Sequence, residues 1–211
     1  MKEKFKDYIN NDHSFDKWTM IGIFCLIIVI TGCFGWLYEY IFYFFNGGMK
    51  EFYWRGGNFL PWINIYATGS IIIYLVSYRF RKNPLKVFLL SFISTGILEY
   101  VSGAGMLYFT GTRCWDYNNE ILNFGNINGF VCLRSVLFFG LSALLLIYVI
   151  VPLCFMLAKK MNRKVFITIS VLLCSIIMID ELYNLVFARV FDLPRAYDFH
   201  KAWGYKYVKF K

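Results

Sequence analysis

Histidine is nearly missing from this chain, and acids are scarce. There are two histidines, His13 and His200, one near each end, and 13 Asp and Glu against 22 Lys and Arg. The six cysteines, Cys25, Cys33, Cys114, Cys132, Cys154 and Cys174, form no CxxC pair. A zinc site needs clustered ligands, so no metal site is expected. Buried thiols in apolar helices are the plain reading of the cysteines. Cys114 and Cys132 flank one loop and would pair only in an oxidising compartment. No GxxxxGK[ST] loop occurs, so the chain hydrolyses no nucleotide by that route, and no cofactor is expected.

Charge as a whole is thin, at 17% of 211 residues, while 59% are hydrophobic and 21% aromatic. A soluble domain of this size carries more charge and fewer aromatics. The charge gathers at the N-terminus, in short breaks and in the C-terminal tail. Between them lie apolar stretches of roughly 17–25 residues, the length that crosses about 30 Å of hydrocarbon. They run from Trp18 to Phe45, Trp62 to Tyr78, Val87 to Phe109, Ser135 to Ala158 and Val165 to Phe191. The expected fold is all-α, a polytopic transmembrane helical bundle of about five spans. It divides into a segment over 1–17, a transmembrane helical domain over 18–191 and a basic, aromatic tail over 192–211.

The net charge of +9 does not point to nucleic acid, because the basic residues flank the apolar spans. The expected partner is the lipid bilayer. About seventeen polar residues precede the first span, too long a lead for a cleaved signal, so the first span reads as a retained anchor. Lys2, Lys4, Lys6 and Lys17, then Arg79, Arg81, Lys82 and Lys86, then Lys159, Lys160, Arg163 and Lys164 mark alternate breaks. The breaks with Lys50 and Arg55, and with Arg113 and Arg134, are poorer. This alternation puts the N-terminus inside. Five spans put the tail outside, although it carries Arg195, Lys201, Lys206, Lys209 and Lys211. Either the last span re-enters, or the tail lies on the outer surface, or the count is off by one. Trp203 to Lys211 alternates aromatic and basic residues, as an interfacial anchor does. The composition, rich in Lys, Ile, Asn, Phe and Tyr, suits a bacterial cytoplasmic membrane.

Charged side chains inside spans are costly and usually face a bundle interior or a wet cavity. Here they are Glu39, Glu99, Asp180 and Glu181, all expected toward the outer half of the bilayer. Ser91, Thr95, Glu99 and Ser102 share one helical face, as do Gly32, Gly35 and Glu39. The loops supply Arg55, Arg113 and Arg134 as counter-charges. Gly47-Gly48, Gly56-Gly57 and Pro61 let the first loop turn sharply, and Trp115-Asp116-Tyr117 opens an Asn-rich second loop. Two readings stay open: the carboxylates pin helices together, or they bind a polar substrate.

At these residues the chain resembles the Putative ABC-transporter type IV family, the CmpB-like bacterial membrane proteins. The likeness runs from about Phe34 to Pro152. It is carried by Gly35-Trp36-Leu37-Tyr38-Glu39, Arg55-Gly56 with Pro61, Ile65-Tyr66, Glu99-Tyr100 with Gly103, and Trp115-Asp116-Tyr117. The run Asn128-Gly129-Phe130-Val131-Cys132-Leu133, Gly140 and Pro152 complete it. Departures are Leu60-Pro61, Asn64-Ile65-Tyr66-Ala67, Leu107 for a glutamate, Phe130 for an arginine, and a short insertion after Asn123. The resemblance implies a transport component of permease type, not itself an enzyme, with a separate ATPase subunit or a homodimer as partner. Its expected substrate-binding residues are Glu39, Arg55, Tyr66, Glu99, Trp115, Asp116, Tyr117, Asp180 and Glu181, around an acid-lined cavity open outward. The alternatives are an intramembrane enzyme on a lipid-linked substrate and an accessory or sensor subunit.

Overall fold

The computed structural model describes residues 7–11, 13–46 and 53–207. Lys2, Lys4, Lys6, Gly47, Gly48, Lys50, Lys209 and Lys211 lie outside the described residues. The helices are α1 (Lys17–Asn46), α2 (Asn64–Ser77), α3 (Pro84–Thr110), α4 (Leu133–Lys160), α5 (Arg163–Val190) and α6 (Ala196–Ala202). Two short strands, β1 (Tyr53–Trp54) and β2 (Lys206–Tyr207), pair in parallel.

Of these helices, α1, α3, α4 and α5 are long and apolar enough to cross a membrane. The second expected stretch is shorter: α2 has 14 residues, a length of about 21 Å. It extends through a 3₁₀ turn at Tyr78–Phe80. Asn83 then caps α3, its side chain accepting from the Lys86 N–H, with Pro84 in the first turn.

The chain divides into two compact units: Met1–Lys17 with Gly69–Lys160 and Phe210–Lys211, and Trp18–Thr68 with Met161–Lys209. In the first, α3 and α4 run antiparallel. Gly96 meets Val136, and Gly140 accepts the Phe88 ring where a Cβ would lie 2.7 Å from it. The buried row of α3 is Val87, Ser91, Thr95, Glu99 and Gly103, one residue every four. Gly103 takes the place expected of Ser102, which is only half-buried. Ser91 bonds Ser77 at 2.9 Å, and the Thr95 hydroxyl donates to the Ser91 carbonyl.

Another row of the same helix, Leu85, Leu89, Ile93, Ile97 and Val101, is 47–65% exposed. A helix with hydroxyls and a carboxylate inside and branched aliphatics outside inverts the soluble pattern. Its outer row suits hydrocarbon.

In α4, Pro152 has no N–H to give and its ring crowds the carbonyl four residues back. The helix widens into a π turn over Leu146–Ile150 just ahead of it, and the Val151 N–H donates to Leu146.

In the second unit α1 and α5 run parallel: Gly22 lies against Phe166, and further along Ile28 and Val29 pack on Trp62, Ala67 and Ile177. Gly32 and Gly35 of α1 admit aromatic rings. A Cβ on Gly32 would lie 1.9 Å from Trp62 Nε1, and one on Gly35 would lie 2.1 Å from the Tyr66 ring. The Ile63 N–H also reaches the Gly32 carbonyl, at 3.2 Å.

The tail is not a free interfacial anchor over its described length. Lys206 and Tyr207 pair with Tyr53 and Trp54. His200 is buried, its ring tilted against Trp54 with the centroids 4.2 Å apart, and its Nδ1 lies 2.7 Å from the Tyr207 hydroxyl. The tail therefore lies on the same side as the loop that follows α1. Trp203 stays exposed.

Candidate functional site

The carboxylates within the spans fall into two centres, one in each unit. The centre in the α1–α5 unit is built on the loop that follows β1. Gly56, with φ +73°, lets this loop turn directly after Arg55. The Arg55 Nε and Nη2 both donate to Glu39 Oε2, at 2.8 and 2.6 Å. The Tyr66 hydroxyl donates to Glu39 Oε1 at 3.2 Å. The guanidinium also lies 3.8 Å from the centroid of the Tyr43 ring. The Trp36 indole holds the Arg55 carbonyl at 3.0 Å.

Four residues on, the same loop is caught by α5. Asp180 accepts two successive backbone N–H groups, Phe59 at 3.0 Å and Leu60 at 2.8 Å. Glu181 accepts the side-chain amides of Asn58 at 2.6 Å and Asn64 at 3.0 Å. The α5 backbone widens into a π turn over Tyr183–Phe187 immediately afterwards. That turn carries the buried Asn184, whose amide donates to Asp180 and whose oxygen accepts the Ala196 N–H at 2.7 Å. Asn184 thus ties the start of α6 to the carboxylate, a role that was not read from the sequence.

The centre in the α3–α4 unit is Glu99, 3% exposed. Its Oε1 accepts the Tyr117 hydroxyl at 2.5 Å, and its Oε2 accepts the Ser135 hydroxyl at 2.7 Å. Ser135 sits in the first turn of α4 and also accepts the Cys132 N–H, at 3.1 Å. The positive end of the α4 dipole therefore lies beside the carboxylate. Sequence reasoning missed Ser135. A serine at the head of an apolar run is a visible cap signal, but its partner lies 36 positions away.

The loop over 111–132 is braced for this contact. Asp116 does not reach Glu99: its Oδ1 accepts from Asn118 N and Nδ2 at 3.0 and 2.7 Å, capping the 3₁₀ turn Tyr117–Asn119, with Arg113 Nη1 at 3.7 Å. The Trp115 indole donates to the Phe130 carbonyl at 2.8 Å, and the Tyr117 N–H donates to Gly129. Asn128 and Gly129 both have positive φ, +55° and +76°, and turn the chain back between the bridged Ile127 and Val131. A Cβ at Gly129 would fall 2.3 Å from Asp116 Oδ1. Phe130, where arginine was expected, lies 4.5 Å beneath the Arg113 guanidinium. Arg134 and Glu120 form a further ion pair at 2.5 Å.

Glu39, Arg55, Tyr66, Asp180 and Glu181 are thus brought to one end of their unit, and Glu99 and Tyr117 meet in the other. Trp115 and Asp116 make their polar contacts within the loop that carries Tyr117, and neither is hydrogen-bonded to the glutamate.

No curated protein and no solved structure matches the chain. A family model does, over residues 26–185, a span wider than the motifs had marked and one that contains every residue of both centres. The membership and the long apolar helices fit a membrane transport component. The chain belongs to the Putative ABC-transporter type IV family.

Proposed function

We propose that this chain is the membrane-spanning, permease-type part of a transporter whose nucleotide hydrolysis resides in a separate subunit, and that Glu99 binds the polar cargo or a coupling proton. The observation that carries this reading is the Glu99–Tyr117–Ser135 arrangement. A carboxylate is buried in an apolar helix, grasped by one hydroxyl from a loop and one from the next long helix. Holding two helices together needs only a polar group. An acid there costs more than an amide, and acids at such depth mark ion and substrate paths. Exchange of a proton or cation at Glu99 would change its grip on Tyr117, and through Tyr117 the loop over 111–132.

In this reading the acid-bearing end of each unit faces outward. Within their own unit, Glu39 with Arg55 and Tyr66, and Asp180 with Glu181, fix the loop after β1. Their full engagement by loop donors favours a positioning role in the resting state.

The test is reconstitution of Glu99→Gln and Glu99→Asp in proteoliposomes, with proton uptake and substrate-driven flux as readouts. Glu99→Gln is expected to keep its thermal midpoint near that of the parent and to lose uptake, with partial recovery in Glu99→Asp. A fully active Glu99→Gln protein refutes the reading. A nucleotide-hydrolysing partner that copurifies in stoichiometric amount supports the division of labour.

A further inference from the structure

The loop over 111–132 presents carbon to its surroundings. Ile121, Leu122, Phe124 and Ile127 are each 51–67% exposed. A loop in water scatters such side chains singly and does not gather them. Leu122 is held there at a φ of +54°, a conformation that bulky residues avoid.

The polar groups of the same stretch are spent inside it. The Asn126 amide donates to the Asn118 side chain at 2.8 Å, and its oxygen accepts the Gly129 N–H at 2.9 Å. The Asn123 amide donates to the Tyr117 and Asn118 carbonyls at 3.0 and 3.1 Å. Glu120 is closed against Arg134. The backbone is served in the same way: the Asn126 N–H donates to Asn123, the Ile127 N–H to Val131 and the Phe130 N–H to Ile127. Polar groups satisfied within and apolar groups without is the arrangement that lipid demands and water does not.

Two contacts fix the level of this loop along the helices. The Asn128 amide donates to the Tyr100 hydroxyl at 3.2 Å, and the Phe130 ring lies 5.7 Å from the Tyr100 ring. Tyr100 adjoins Val101, the last residue of the outward row of α3. The Phe124 carbonyl accepts the Leu133 N–H at 2.8 Å, at the head of α4. There Leu133, Leu137 and Leu141 form a second outward row, 39–60% exposed. The apolar side of the loop therefore continues both rows at the level where they end. From Tyr100, α3 runs on for about 15 Å to Thr110.

We propose that this loop lies in the interface of the bilayer, with Ile121, Leu122, Phe124 and Ile127 among the first carbons of the lipid chains. An irregular backbone is excluded from the hydrocarbon centre, and its boundary takes one whose groups are already paired. The contact is apolar, so zwitterionic lipid suffices. Because the same loop carries Tyr117, the cover of Glu99 is seated in lipid and not in water. This placement holds whether or not Glu99 binds a cargo.

The test uses the full chain, cysteine-free, at one chain per phosphatidylcholine nanodisc. Ile121→Cys, Phe124→Cys and Thr112→Cys are each labelled with bimane. Phosphatidylcholine bearing a nitroxide near its headgroup is expected to quench most of the emission at Ile121→Cys and Phe124→Cys and little at Thr112→Cys. Aqueous iodide should give the reverse order. Quenching of either loop site by iodide and not by the lipid overturns the proposal. Lipid quenching that disappears once two chains share a disc would assign the patch to a second copy, and would also overturn it. The readout involves no flux, so its failure and the failure of the transport reading are separate results.

Discussion

Arg55 places two N–H groups on a single oxygen of Glu39. The arginine side chain is 7% exposed and the glutamate 19%, so neither charge is well hydrated. Removing one partner leaves the other charge buried, at a cost of about 3–5 kcal/mol. Arg55→Met or Glu39→Gln should each lower the unfolding midpoint in detergent. The double variant should recover much of the loss, because it strands no charge. Two single losses that simply add would show that the pair is not coupled.

Gly32 has no room for a side chain against the Trp62 indole, whereas Gly57 has nothing within 4 Å of a built Cβ. Gly32→Ala should therefore destabilise by about 1–3 kcal/mol as the indole is forced aside. It should also weaken the bond from Trp62 Nε1 to the Ile28 carbonyl, now 3.1 Å. Gly57→Ala should be nearly neutral. Thermal unfolding of the two variants side by side checks this.

Burial holds the His200 imidazole below its ordinary value of about 6.5, although the nearby Asp180 charge pulls the other way. The docked tail therefore takes up a proton less readily than the undocked one. Its docking is fully favoured above about pH 6.5 and weakens as the pH falls below that. Protection from hydrogen exchange over 196–207, taken relative to the intrinsic rate at each pH, should fall between pH 7 and pH 5, and His200→Phe should flatten that dependence. An exchange rate that follows only intrinsic pH chemistry would count against it.

Because β2 pairs with β1, the tail and the loop after α1 must share a side of the membrane. In a cysteine-free background, Gly57→Cys and Lys201→Cys should react with an impermeant maleimide from the same side. Lys164→Cys, at the start of α5, should react from the other. Labelling of Gly57→Cys and Lys201→Cys from opposite sides would contradict the pairing of the strands.

Much of the fold was legible because hydrocarbon imposes a length. The apolar runs that became α1, α3, α4 and α5 differ from their expected bounds by a few residues at most. The second run was harder: Trp62 to Tyr78 is mostly apolar, yet its first residues serve the loop, with Trp62 packed into Gly32 and Asn64 bonded to Glu181. Only tertiary partners decide where such a helix begins.

The carboxylates were visible as charges out of place, and so was Arg55 as a counter-charge. What each acid holds was not legible. Asp180 takes backbone N–H groups 120 positions away, which no spacing rule reports. Asp116 stands between Trp115 and Tyr117 in the sequence, and its short side chain folds back onto Asn118, as aspartates in turns commonly do. The tail was read from composition alone, and composition is silent about a two-residue ladder.

The outward row of α3, from Leu85 to Val101, is about 24 Å long at the helical rise. That length prescribes the surfactant that will keep the molecule intact outside its membrane. Micelles with short tails leave the ends of the row wet and invite aggregation through them. A belt of matching thickness shields it completely, so the choice of amphiphile should precede any measurement of flux.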